Sequence, residues 1–104
     1  MKRSSTPTHS LELPFIYEKY ASQFVFTYSQ NGNIILEKTE KDVGDSVEVE
    51  NDILHIYLTQ EETNLFCGGD VEMQMKVYTL NGKSIISDII KIKVDDVLND
   101  KVFV

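Results

Sequence analysis

The sequence predicts an all-β fold: an antiparallel immunoglobulin-like β-sandwich or small barrel of six or seven strands, with one short helical turn near residues 60–66. Three observations lead there. Short runs of alternating apolar and polar residues recur at spacings of roughly 10 residues. Two Asn-Gly pairs, Asn31-Gly32 and Asn81-Gly82, sit between such runs, where hairpin turns belong. No segment carries the longer apolar period of an amphipathic helix. The 104 residues are 41% hydrophobic and 26% charged, which fits one core over residues 8–94 with a flexible arm at 1–7 and a tail at 95–104. One cysteine and no tryptophan exclude the disulfide-and-tryptophan core of antibody domains, so only the architecture is implied.

Each element has a local reason. The first seven residues, through Pro7, are polar and aperiodic. Thr8 to Leu13 alternates, with Leu11 and Leu13 opposed to Ser10 and Glu12, until Pro14 removes a ladder donor; it reads as a first strand at an edge. Phe15 to Tyr20 is apolar and aromatic without a period and fits either a turn of helix or a crossing loop. Gln23 to Tyr28 and Ile34 to Thr39 form a hairpin about Asn31-Gly32, a pair suited to the positive φ angles of a type I′ turn. That turn pairs Tyr28 with Ile35 and Thr27 with Leu36. Apolar groups then fall on both faces, which calls for cover on both sides or for a bulge.

Glu40 to Asp52 holds six acidic residues against one lysine and reads as a loop with a weak edge strand around Val47 and Val49. In Asp52 to Leu58 the alternation is clean, with Leu54, Ile56 and Leu58 on one face and Ile53, His55 and Tyr57 on the other. Thr59 and Glu62 match a capping box, so a helical turn follows, with Leu65-Phe66 packing beneath the sheet and Cys67-Gly68-Gly69 closing it. Val71 to Leu80 and Lys83 to Val94 form a second hairpin about Asn81-Gly82. A two-residue turn there sets Val71 against Ile92, Met73 against Ile90 and Val77 against Ile86 on one inward face, and Glu72 against Lys91 on the other.

Composition also limits function. A net charge of -7 repels phosphate backbones and argues against nucleic acid as a partner. No apolar run approaches the roughly 20 residues of a membrane span, and Met1-Lys2-Arg3-Ser4-Ser5-Thr6 has no signal-like apolar core, so cytoplasmic synthesis without a membrane partner is expected. His9, His55 and Cys67 have no metal-ligand spacing, and Cys67 beside Leu65-Phe66 reads as a small buried hydrophobe rather than a nucleophile. Catalytic residues, metal ligands and cofactors are therefore expected to be none. Asp88 falls on the inward face of the second hairpin, where a carboxylate needs a bulge or loop amides to accept from; it is read as a structural polar residue. The candidates for an interface are Phe15, Tyr17, Tyr20, Tyr57 and Tyr78, with Val102, Phe103 and Val104 of the apolar tail.

Three segments carry a family resemblance: Thr6-Pro7-Thr8-His9 leading into Leu11-Glu12-Leu13-Pro14-Phe15, the central Leu58-Thr59-Gln60-Glu61-Glu62-Thr63, and Ser87-Asp88-Ile89-Ile90. They resemble small β-sandwich proteins encoded near tail and baseplate genes in phages and prophages of Gram-positive gut bacteria. The resemblance implies a non-enzymatic virion structural or accessory protein, made in the cytoplasm and built into the particle. Its implied partners are other phage structural proteins and further copies of itself. Ser87-Asp88 is implied to be a fixed feature of the last hairpin. Two other functional expectations come from the residues: a carbohydrate- or cell-surface-binding module using its tyrosines, and an acidic inhibitor of a nucleic-acid-binding protein using Asp42, Asp45, Glu48, Glu50 and Asp52.

Overall fold

A computed structural model describes residues 1–103, so the expectation for Val104 lies outside the described residues. Eight antiparallel strands form two open sheets in a sandwich-like arrangement, linked by helical turns of a few residues. The smaller sheet has the order β1-β5-β4, from Thr8–Glu12, Ile53–Tyr57 and Val47–Glu50. The larger runs from β3 (Asn33–Thr39) through β2 (Ala21–Gln30) to β6 (Gly69–Thr79), whose far side takes both β7 (Ser84–Ile86) and β8 (Ile90–Val94). Neither sheet closes on itself, which decides against the barrel. The strand count exceeds the expected six or seven because the last strand is broken in two.

The first turn forms as its residues demand. Asn31 and Gly32 have φ of 54° and 79°, and Gln30 pairs with Asn33. A bulge then lets Ile35 drop out of register, so Tyr28 faces Leu36 and Thr27 faces Glu37, instead of the expected Ile35 and Leu36. Phe24, Phe26 and Tyr28 alternate along β2 and all turn inward.

The second turn departs from expectation. Thr79 N–H donates to Lys83 O at 2.8 Å, so Leu80, Asn81 and Gly82 make a three-residue loop, with Gly82 alone in the left-handed region at φ 80°. One extra loop residue moves the register by one. Val77 faces Ile85 and Lys76 faces Ile86, which puts Ile86 on the outer face and not the inner one. The irregular Ser87-Asp88-Ile89 then restores the predicted pairing, Met73 with Ile90 and Val71 with Ile92. Ser87 holds this break: its N–H donates to Met75 O at 2.9 Å and its Oγ accepts from Met75 N–H at 2.9 Å. Asp88 projects into solvent, so the buried-carboxylate reading does not hold.

Tyr28 and Phe26 pack edge-to-face at 4.9 Å in the centre of the core, with Phe66 5.8 Å from Tyr28. α2, Gln60–Thr63, carries the predicted capping box: Thr59 Oγ1 accepts from Glu62 N–H and Glu62 Oε1 accepts from Thr59 N–H. Of the pair expected beneath the sheet only Phe66 is buried; Leu65 is exposed. Cys67 is exposed as well, contrary to expectation, because Gln30 binds its backbone on both sides, Cys67 N–H to Oε1 at 2.8 Å and Nε2 to Cys67 O at 2.7 Å. α1, Tyr17–Tyr20, is the single turn that the aromatic stretch permitted.

Lys38 is a buried cation, 6% exposed, that pattern reading did not single out. Opposite Phe26 in the ladder, it reaches Glu62 Oε2 at 2.6 Å and Ser46 Oγ at 3.0 Å. Glu62 thus caps α2 with one oxygen and neutralises Lys38 with the other. The first residues are bonded along their length: Arg3 N–H donates to Asp95 O, Lys2 bridges Asp95, and Thr63 Oγ1 donates to Ser5 O. Arg3 also pairs with Asp96 at 2.9 Å, and this bond holds the Asp96 carboxyl below the usual carboxylate range.

Candidate interaction surface

The two sheets differ in width, and the difference creates the most apolar open surface. β1 is an edge of the smaller sheet, while β7 and β8 form the matching edge of the larger one. Inward-facing Ile85 and Ile90 on that edge are only partly covered and stay 39% and 43% exposed. The register change adds Ile86 and the break adds Ile89, at 57% and 54%. Between the edges runs a groove of about 320 Å³, with Leu11 and Leu13 on the β1 side, Val77 and Ile85 on the other, and Glu12 and Asp88 among its lining. A second hollow of about 400 Å³ continues it past Phe15 and Ile85 to Tyr20 and Leu80.

The predicted aromatic candidates are dispersed. Phe15 and Tyr20 meet edge-to-face at 6.0 Å at the end of this groove. Tyr17 packs on Phe24 at 5.8 Å, and burial raises the pKa of its hydroxyl. Tyr57 lies on the outer face of the smaller sheet, donating to Glu48 Oε2 at 2.8 Å, and that bond raises its pKa. Tyr78 lies on the outer face of the larger sheet, beside Gln23 and Lys76. The two residues most suited to stacking on one sugar therefore occupy opposite faces. In the tail, Phe103 is 78% exposed and hydrogen-bonded through its backbone to the Gln60 amide; Val102 is half-buried.

The groups with chemical potential are equally separated. His9 faces the core, its Nδ1 2.6 Å from the Tyr28 hydroxyl; burial lowers the His9 pKa and raises that of Tyr28. His55 lies on the outer face of the smaller sheet between Ser10 Oγ, 2.7 Å from Nδ1, and Glu50 Oε2, 3.0 Å from Nε2. This is the hydrogen-bond order of a nucleophile, base and acid, on an exposed sheet face where water screens the electrostatics that acyl transfer needs. Among the described residues no group of three histidines, cysteines or acids is placed to hold a metal ion, and no helix is long and apolar enough to cross a membrane. In the acidic stretch, Asp42 accepts from Thr39 N–H at 2.8 Å, Glu48 accepts from the Tyr57 hydroxyl and Glu50 pairs with His55, so three of the five acids serve local structure.

Pattern reading missed Ile85, Ile86, Ile89 and Ile90 as a surface. A usable signal was present: two adjacent isoleucine pairs in an edge strand, one member of each necessarily pointing away from the core. No protein-family model matches the chain, and comparison with curated proteins and with solved structures finds no match either.

Proposed function

We propose that this chain is a non-enzymatic assembly module that works through protein–protein contacts, as a structural or accessory component of a phage tail or baseplate. The observation that carries the reading is the uncovered flank of the larger sheet, where Ile85, Ile86, Ile89 and Ile90 are exposed and the first two line an apolar groove. Apolar edges of this kind are a liability in a solitary protein and an attachment point in an assembly. The phage setting rests on the resemblance of the three segments at the start, centre and end of the chain. In that setting the partners are other structural proteins of the particle and further copies of this one. Synthesis is cytoplasmic, with incorporation into the virion, and the charge of -7 keeps nucleic acid out of the partner set.

The test is capture by the immobilised chain from a lysate of induced lysogens, beside an Ile86→Lys, Ile89→Lys variant. Tail or baseplate proteins recovered by the unaltered chain and lost by the variant support the reading. Recovery of a host nucleic-acid enzyme points instead to the acidic inhibitor. Glycan binding abolished by Tyr57→Ala or Tyr78→Ala points to the carbohydrate module.

A further inference from the structure

The mismatch between the sheets leaves β1 with one unused edge. Leu13 N–H donates to Asp52 O and Leu58 N–H donates to Pro7 O, so the odd-numbered residues of this segment bond toward β5. In an antiparallel pair, alternate residues turn their backbone groups to opposite sides. Thr8, Ser10 and Glu12 therefore point N–H and C=O away from β5, where the order β1-β5-β4 holds no further strand. β7 also has a free edge, but a strand added there would extend the sheet that already overhangs. One added to β1 widens the narrow sheet over Ile85 and takes apolar surface out of water.

The two faces beside that edge specify the added strand. Toward the groove it meets Leu11, Leu13, Val77 and Ile85, which call for apolar side chains. The outer face of the smaller sheet is acidic: β1, β5 and β4 carry Glu12, Glu48 and Glu50, all exposed, and no lysine or arginine. Asp88 adds a carboxylate at the rim of the groove. Among the described residues neither Glu12 nor Asp88 has an ion-pair partner. We propose that the free edge of β1 accepts an extended segment of a partner protein in which lysine or arginine alternates with aliphatic residues. The proposal rests on the assembly reading above and names the chemistry of its partner. Aliphatic side chains of the segment fill the groove, and its cations stand beside Glu12 on the outer face. The molecule already uses this pairing once. β8 reads Ile90-Lys91-Ile92-Lys93-Val94, and its lysines lie opposite Glu72 and Asp70 of β6. That strand is itself engaged, by β6 on one side and by Met1 and Arg3 on the other. Like charge turns away the chain's own acidic tail and the β1 edge of a second copy.

The experiment is fluorescence anisotropy of a labelled peptide of alternating lysine and valine, titrated with the full chain. Saturable one-to-one binding is expected, weakened by salt, and absent for the glutamate–valine and lysine–serine peptides. Ser10→Pro removes an edge N–H that makes no bond to β5, a change that edge strands tolerate, and Glu12→Lys reverses the charge beside it. Each should weaken binding about tenfold while the circular dichroism spectrum is kept. Peptides N-methylated on alternate residues test the ladder without altering the protein: blocking one set of nitrogens should abolish binding and blocking the other should not, since alternate N–H groups face opposite edges. No binding, equal binding of the lysine–serine peptide, or binding unchanged by Glu12→Lys or by both methylation patterns each overturns the proposal. A chain that binds no peptide, yet captures virion proteins and loses them on Ile86→Lys with Ile89→Lys, sinks this inference and leaves the assembly reading standing.

Discussion

The two flanks of β6 carry similar residues to different ends. On the β2 side, inward-facing Phe24, Phe26 and Tyr28 lie under the smaller sheet and are buried; on the β7–β8 side, Ile85 and Ile90 face the same way and remain in water. Backbone pairing is sound on both sides, so the ladder does not make the difference. What differs is the layer above. A three-stranded sheet covers only part of a larger one, and apolar side chains beyond its last strand gain hydrogen-bonded backbone without full desolvation.

That contrast can be broken quantitatively. Phe26→Ala on the covered flank should cost about 4 kcal/mol in denaturant unfolding, since a fully buried ring is replaced by a cavity between two sheets. Glu62→Ala should follow at about 3 kcal/mol, because it strands the Lys38 charge in the interior and removes one of the two bonds of the capping box of α2. Adding Lys38→Met to Glu62→Ala should recover most of that loss; if it does not, the ion pair is not the source of the cost. Gly82→Ala should lower stability by about 1 kcal/mol through its left-handed backbone while the loop stays at three residues, because a two-residue type I′ turn would need a positive φ there as well. Ile85→Ser and Ile90→Ser on the open flank should each cost less than about 1 kcal/mol in the monomer. A loss equal to that of Phe26→Ala would mean the flank is covered after all.

The smallest effect sharpens the contrast from within the core. Burial holds the folded-state pKa of His9 below its unfolded value of about 6.5, so the unfolded chain binds the proton more readily. The stability contributed by neutral His9 is therefore complete above about pH 6.5 and is lost as pH falls from there through the folded-state value. Unfolding free energies measured across that window should decline more steeply for the unaltered chain than for His9→Gln. Equal slopes would remove His9 from the account.

Legibility followed locality. The Asn31-Gly32 turn, the alternation of β5 and the Thr59–Glu62 cap were readable because each depends on a few neighbours in sequence. The register of β7 was not. Asn81-Gly82 permits a two-residue turn or a three-residue loop with glycine in the left-handed position, and Ile85-Ile86 offers an apolar residue to either face. The surface that follows was hidden with it, since the aromatic residues favoured as an interface end up on four different parts of the molecule. Lys38 was equally hidden: a lysine in a strand reads as exposed until the carboxylate that receives it is placed across the core.

Composition, alternation and turn residues by themselves determined an antiparallel sandwich-like fold, the first hairpin turn and the single capped turn of helix, because these are properties of short stretches of chain. Only the tertiary structure decided which isoleucines are left in water, that Cys67 and Asp88 face outward, and that Lys38 is neutralised inside. Those outcomes depend on how far one sheet extends over another, and sheet width is set by pairings between segments distant in sequence.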